Sequence, residues 1–495
     1  MLRLPGFIFR ILGIDDSDFT VIARAIAHGA MPYRDVVDIK PPLAFLLYLP
    51  NAISNALWPV QLEGALFVVA TALCLGLFAR RAWESEEAGI AAAFLSLAVG
   101  LCEAPTVSTE LLMNLPTAAG LALFARAEVE GRKRDDLLAG ILLGLAALIR
   151  HQAIFTLGTL GLATLLLGIF LRRDWFLRCT ALAIAFALPW FCTLAIFHLL
   201  GALPEFIEWV FARNFGYVSQ GAGSALMRCL QSIGVCIVAA APLAWWAALS
   251  GAASTLRSIR SRAELASPAA RLRLIATALL AISFVPVSLG GRFYEHYFLQ
   301  LVPAAAIVGA GPLATLVATL RTRRAATRAA LTALALLPML GNLGYVFARG
   351  VMHQYPLQNE KVIAIGDWVR ANTTPSDRLF VWGHFSPIYL ASERLPATRY
   401  LTTSWHVGNF DPGHLDDSID LRRFVSQRDV ERTVEDLAKS PRALIIDTSP
   451  ADIHSWHRIP LTLVPGLDEV ISRGWVEVAR PGGARVLQRR TLSGH

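Results

Sequence analysis

Lysine is nearly absent from this chain. Of 45 basic residues only four are lysine, Lys40, Lys133, Lys361 and Lys439, and the rest are arginine. Charge as a whole is scarce: 17% of residues are Asp, Glu, Lys or Arg, 55% are hydrophobic, and the mean hydropathy is +0.50. Ordinary globular domains are about 25% charged, so this composition excludes a wholly soluble chain and reads as a polytopic membrane protein. Cysteine is equally restricted. Cys74, Cys102, Cys179, Cys192, Cys229 and Cys236 all lie in or beside hydrophobic stretches, and no cysteine follows. That pattern excludes a disulfide framework and a zinc spacing, leaving small apolar core residues. There is no internal repeat, and the stretch from Met1 to Gly13 lacks the small-residue site of a cleavable signal.

What the chain does have is long apolar runs. About 20 mainly apolar residues cross roughly 30 Å of hydrocarbon, and candidates fall near 60–79, 88–102, 110–127, 137–150, 153–171, 179–200, 229–250, 274–290, 298–320 and 329–349. The expected fold class is an α-helical polytopic membrane protein, with about 10–11 transmembrane helices over residues 1–349 and a C-terminal soluble α/β domain over 350–495. In that tail the pattern predicts helices at Val362–Ala371 and Asp429–Lys439, strands at Arg378–Gly383 and Ala443–Asp447, and a hairpin from Trp475–Ala479 with Arg485–Gln488.

Arginine places the loops. Arg80-Arg81, Arg132-Lys133-Arg134, Arg172-Arg173, Arg257 to Arg273 and Arg321 to Arg328 occupy every second connection, which puts those loops in the cytoplasm. The intervening connections, the segment 15–40 and the tail then lie outside, in the periplasm of a bacterial inner membrane. This count requires a span before Asp15, for which the preceding residues are too few; the expectation is either a natural chain that starts further upstream or an N-terminus that lies in the interface as a partial helix. The net charge of +8 is spread over the cytoplasmic loops, where orientation and anionic lipid headgroups account for it, so nucleic acid is not an expected partner.

Four external positions carry candidate chemistry. Asp15, Asp16 and Asp18 open an amphipathic helix expected over Asp18–His28. A helix cap needs one acid, whereas three crowded acids raise at least one pKa and suit a general base or a cation site. Lys40-Pro41-Pro42 follows at the mouth of a hydrophobic stretch, where a compact ammonium ion can meet a phosphate. Glu110 starts a span, as a helix-start acid or a ligand-binding group. Arg150-His151 interrupts apolar sequence, where a charged pair is costly unless a cavity or interface receives it. Gly291-Arg292-Phe293-Tyr294-Glu295-His296-Tyr297 sets cations and aromatics in an external turn, as an interfacial belt or a binding loop. In the tail His384, His406 and His414 are expected at the surface or in turns. No Gly-rich phosphate loop or Asp-x-Asp motif at a strand end is present, which argues against a nucleotide-sugar donor. Acids able to deprotonate a hydroxyl and cations able to hold a phosphate on one face favour a phosphate-bearing lipid. No divalent metal or other cofactor is indicated.

These motifs, in this order, resemble the polytopic C-type glycosyltransferases that use polyprenyl-phosphate sugars, namely the protein O-mannosyltransferase and aminoarabinose transferase families. The likeness covers the first 350 residues. It rests on Asp15-Asp16, Gly29, Pro32-Tyr33-Arg34-Asp35, Lys40-Pro41-Pro42-Leu43, Thr109-Glu110 and the run Arg292 to Pro303. The families usually carry Asp-Glu where this chain has Asp15-Asp16, which leaves open which acid is the base. The resemblance implies transfer of a sugar from a polyprenyl-phosphate donor to a hydroxyl of an envelope glycan, lipid A or lipopolysaccharide, or protein, by one inverting displacement. It implies Asp15 or Asp16 as catalytic base and Lys40 on the lipid phosphate. Arg150, Arg292 and His296 join Lys40 there, and Glu110, Tyr33 and His151 are expected at the acceptor or sugar. A secondary transporter or lipid flippase and a non-catalytic scaffold are the rival classes. The first would favour mid-span acids or broken helices in two matching halves, neither of which is evident.

Overall fold

The computed structural model describes residues 3–7, 11, 13–52, 57–100, 106–173, 175–214, 225–259, 261–351, 359–410 and 419–490. The chain is a polytopic helical membrane protein with a C-terminal domain. Each of the ten apolar stretches coincides with a helix among the described residues. They are α2 (Trp58–Trp83), α3 (Glu86–Val99), α4 (Thr109–Glu130), α5 (Lys133–Ile149), α6 (Ile154–Leu171), α7 (Phe176–Leu199), the pair α8 (Ala225–Ile233) and α9 (Pro242–Ser258), α10 (Pro268–Ile282), α11 (Val302–Arg321) and α12 (Ala325–Val351), preceded by α1 (Ile14–Ala27).

Six of these units are long and apolar enough to cross a membrane, and the segment Ala225–Ser258, bent by 96°, makes a seventh. That is fewer than the ten read from sequence. With a 1.5 Å rise per residue, α3 at 14 residues and α5 at 17 fall short of the roughly 30 Å hydrocarbon layer, and α4 carries Glu110, Arg126, Glu128 and Glu130. The three are packed inside the bundle, where arginines pair with acids. Arg126 binds Asp135 at 2.6 Å and Arg178 binds Asp136 at 2.8 Å.

Two helix ends matter for the site. Ser108 caps α4 by accepting the Leu111 N–H, and Glu110 falls in the first turn, where the helix dipole favours an anion. At the other end of the hairpin, α5 stops at Arg150 in an extended conformation, φ −153°, before the chain resumes as α6. The break turns the Arg150 side chain back towards the start of α4.

The C-terminal domain opens with α13 (Asn359–Asn372) and holds β1 (Arg378–Trp382), β2 (Leu395–Pro396), α14 (Gln427–Lys439), β3 (Ala443–Asp447), α15 (Pro465–Gly474), β4 (Trp475–Ala479) and β5 (Arg485–Arg489). The sheet order is β2-β1-β3-β5-β4, with β1 parallel to β2 and β3, and β5 antiparallel to β3 and β4. All of β3 and all but the first residue of β1 are buried, as central parallel strands covered on both faces must be. The β4–β5 pair is the predicted hairpin.

This domain is tied to the end of the bundle that holds the start of α1 at several points. Val37 donates its N–H to the Arg399 carbonyl at 3.0 Å, and Ser386 Oγ donates to the Ile14 carbonyl at 3.1 Å. Arg213 bridges Glu208 at 3.1 Å and Asp429 at 2.7 Å, with Arg432 on the far side of Glu208 at 3.2 Å.

Candidate functional site

The residue before α1 is Gly13, and no side chain caps the helix. Its three acids face different surroundings. Asp16 is buried, and both its oxygens accept the Val107 N–H, at 3.1 and 3.2 Å, which pins α1 against the approach to α4. Burial pushes its pKa up to about 6, even with that hydrogen bond opposing. Asp18 is also buried, one of its oxygens has no hydrogen-bond partner, and burial joined by the Asp38 and Asp15 charges holds it well above the usual carboxylate range. Asp15 differs from both. Burial works to raise its pKa, but the positive potential of His296, Lys40, Arg150 and His384 outweighs that and leaves it lowered. Its side chain is 43% exposed, and Oδ2 lies 3.7 Å from His296 Nε2. Of the three acids, Asp15 is the accessible one and the one whose pKa is lowered rather than raised.

Lys40 is placed by its own loop. The Asp38 carboxylate accepts the Lys40 N–H at 2.8 Å, and the Tyr33 hydroxyl donates to the Lys40 carbonyl at 2.8 Å. The Lys40 ammonium makes no ion pair among the described residues.

Behind the acids sits a buried polar cluster. Arg150 Nη2 lies 2.8 Å from Glu110 Oε1, and its Nη1 donates to Thr109 Oγ1 at 3.0 Å. The guanidinium stands 5.0 Å over the Tyr297 ring, and His296 Nε2 is 3.8 Å from Glu110. Arg292 donates to the Asn409 carbonyl at 2.9 Å and so joins the two domains.

These groups border one cavity of about 380 Å³. Asp15, Asp16, Lys40, Arg150, Arg292 and His296, six of the nine residues predicted from sequence, line it. The other three do not. Glu110 is fully buried one layer behind, as the partner of Arg150. Tyr33 is 1% exposed, packs against Phe45, Phe197 and Phe206, and its hydroxyl touches the Lys40 carbonyl. His151 is stacked on Trp190 at 5.8 Å and edge-on to Phe211 at 6.0 Å, outside the cavity lining.

Sequence reasoning missed one wall. Asp38 completes the acidic side, and the C-terminal domain supplies His384, Phe385, Thr402, Trp405, Asn409 and His454. Asp38, two residues before Lys40, was findable from spacing; the others carry no local signal. The histidines expected at the surface divide: His384 borders the cavity, His406 is fully buried against Tyr400 and Trp382, and His414 lies outside the described residues. Among the described residues no group of three or more His, Cys, Asp or Glu side chains is placed to hold a metal ion.

A membrane-embedded helical bundle, with acids and cations at one end roofed by an α/β domain, is the architecture this site defines. No family model and no curated protein matches the chain. Among solved structures it is similar to ArnT from Cupriavidus metallidurans bound to undecaprenyl phosphate, with a TM-score of 0.63 at 15% identity over 99% of this chain and 96% of that one. It is similar also to the same ArnT in the apo state, with a TM-score of 0.59 at 14% identity over 98% and 95%. The likeness runs through both domains. It shows a common fold, in agreement with the C-type glycosyltransferase resemblance of the sequence motifs.

Proposed function

We propose that the protein is a membrane glycosyltransferase that moves a sugar from a polyprenyl-phosphate donor to a hydroxyl acceptor on the periplasmic face of a bacterial inner membrane. The observation that carries the reading is the cavity itself: an ionised, accessible carboxylate, Asp15, shares it with Lys40, Arg150, Arg292 and His296. The fold shared with a protein crystallised with undecaprenyl phosphate supports a lipid-phosphate donor.

In this reading the acceptor oxygen attacks the anomeric carbon once, with inversion. Asp15 takes the hydroxyl proton as the new bond forms, a contribution of about 10²- to 10⁴-fold. Its low pKa makes that transfer late, when the attacking oxygen has become acidic. Lys40, Arg150 and Arg292 stabilise the charge growing on the departing phosphate. A phosphate monoester leaves as an anion, so no second carboxyl acid is needed, unlike a glycosidase. Asp16, held by the Val107 N–H, anchors α1 rather than acting as the base.

The test is transfer of radiolabelled sugar from synthetic polyprenyl-phosphate donors by membranes carrying wild type, Asp15→Asn or Lys40→Ala. Each variant is expected to lose at least about 10²-fold at unchanged protein level. Wild-type rates in both variants would overturn the assignment.

A further inference from the structure

The end of the bundle away from the transfer cavity holds a second polar cavity, of about 820 Å³, built around arginines. Glu128 lies eighteen residues beyond Glu110 on α4, about 27 Å along the helix at a 1.5 Å rise and close to the full hydrocarbon thickness. The membrane-spanning α6 ends at the same place, so that Leu171 and Arg173 line the cavity together with Glu128, Arg262 and Arg271.

Glu128 is the hub. Its side chain is 5% exposed, and three guanidiniums converge on it: Arg271 at 2.5 Å, Arg173 at 3.3 Å, and Arg178, which also holds Asp136 at 2.8 Å. Arg271 is itself fixed, because its Nη1 donates to the Leu265 and Ala266 carbonyls at 2.8 and 2.7 Å. The second acid of the lining, Glu130, is held by Arg81 at 3.2 Å and Arg132 at 2.9 Å. Arg81, Arg132, Arg173, Arg178, Arg262 and Arg271 therefore stand against Glu128, Glu130 and Asp136, and positive charge is in excess. The carboxyl ends of α4 and α6 add about half a negative charge each, which that excess still exceeds.

Two of these arginines retain donors for a ligand. Arg173 is half exposed, its backbone N–H is fixed on the Gly168 carbonyl at 2.8 Å, and its guanidinium bonds only Glu128 among the described residues. Arg262 makes no ion pair or hydrogen bond among the described residues; its guanidinium lies 5.7 Å over the Phe170 ring. One follows α6 and the other precedes α10, so two forks from different elements border one space. A planar guanidinium fork matches the oxygens of a phosphate. Beside the arginines the lining is apolar, with Val129, Leu171 and Pro268, and the neighbouring Phe170 ring is 52% exposed.

We propose that this cavity binds a phosphate-bearing anion, the headgroup of an anionic phospholipid in the leaflet opposite the transfer cavity. Arg173 and Arg262 take the phosphate, and the acyl chains run along the exposed apolar end of α6. In the reading above that leaflet is cytoplasmic, the one that carries anionic lipid. The site shares no group with the transfer cavity and does not depend on the reaction there. A soluble phosphate compound presents the same oxygens to the same donors but makes no use of the apolar rim.

The experiment follows the unfolding midpoint of the full-length protein in detergent, by tryptophan fluorescence, during titration with dihexanoyl phosphatidylglycerol, dihexanoyl phosphatidylcholine or inorganic phosphate. Phosphatidylglycerol should raise the midpoint saturably, and the other two should not. Arg173→Gln with Arg262→Gln is expected to weaken the apparent affinity at least about tenfold; the corresponding lysine pair, which keeps the charges and loses the forks, should fall between. Arg323→Gln with Arg324→Gln removes two exposed charges that follow α11, outside the cavity, and should bind as wild type does. The unliganded midpoints report folding, and Arg262→Gln alone, which breaks no ion pair, carries the test should the double variant be unstable. Wild-type affinity in the Arg173 and Arg262 variants would overturn the site, and so would an equal loss in the Arg323 and Arg324 variant. A shift by inorganic phosphate as large as that by phosphatidylglycerol would overturn the lipid as the source of the anion.

Discussion

The Glu110–Arg150 pair offers the sharpest separation of stability from function. Glu110 is 0% and Arg150 4% exposed, with 2.8 Å between Nη2 and Oε1. Removing one partner strands a buried charge, which costs about 3–5 kcal/mol, whereas replacing both by apolar groups of similar volume is often neutral or better. Thr109 and the Tyr297 ring keep some hold on Arg150 when Glu110 is lost, so Glu110→Leu belongs at the lower end, about 3 kcal/mol, and Arg150→Met near 4 kcal/mol. If the two sites were independent the double variant would lose about 7 kcal/mol; coupling should return it to within about 1 kcal/mol of wild type. Reversible unfolding in detergent, read by tryptophan fluorescence, measures the cycle. Transfer activity should not return with stability, because the doubly apolar site lacks a cation that lines the cavity. A double variant no more stable than the weaker single would refute the reasoning, and so would a double variant with full activity.

Two further outcomes follow from packing and from titration. At Gly140, where α5 crosses α7, a Cβ would lie 2.6 Å from the Leu182 carbonyl oxygen and 2.7 Å from the Ala185 Cβ; Gly140→Ala should force the helices apart and destabilise by about 1–3 kcal/mol despite alanine's better helix propensity, which unfolding midpoints will show. Burial lowers the His406 pKa from 6.5 to about 4. The unfolded chain therefore binds that proton at higher pH than the folded one, and the stability concerned is full above pH 6.5 and lost as pH falls towards 4. Asp16, raised to about 6, has the opposite sign over nearly the same window, losing stability as pH rises from 3.8 through 6. Wild-type stability thus hides both. His406→Gln should separate them, gaining about 3 kcal/mol on wild type between neutral pH and pH 4; a difference that does not change with pH would refute the assignment.

How much was legible depended on the range of the physics involved. The ten helices and the strands Arg378–Trp382 and Ala443–Asp447 could be read because hydrophobic period and length are local properties. Whether α3 crosses a membrane could not, because fourteen residues are set against a hydrocarbon thickness that only the packed bundle reveals. In the site, the acids of α1, Lys40 and the Arg292–His296 loop announced themselves as charge against an apolar background. Tyr33 carried the same apparent signal within its motif, yet its hydroxyl serves the Lys40 carbonyl and its ring the core. A tyrosine is equally at home in both roles, and sequence does not distinguish them. His384, Trp405 and Asn409 gave no signal because the acids and cations they face lie more than eighty residues away in the chain; they join the site only when Ser386 docks on Ile14 and Arg292 on Asn409.

That docking gives the ion pairs between the domains a consequence for chemistry. The cavity has one wall from α1 and the bundle and another from the C-terminal domain, so its shape is only as fixed as their joint. The joint is not a hydrophobic seam alone. Asp429, almost fully buried, answers to Arg213 from the bundle side and to the Tyr400 hydroxyl from its own domain, at 2.7 Å each. Tyr400 also faces Val37 across an isolated bridge, three residues before Lys40. A displacement at Asp429 therefore reaches the lysine loop through two contacts, the Tyr400 hydroxyl and the bridge to Val37. Buried hydrogen-bonded ion pairs of this kind contribute little net stability but penalise misplacement heavily. They suit a joint that must set the position of Lys40 against His384 rather than merely hold two domains together.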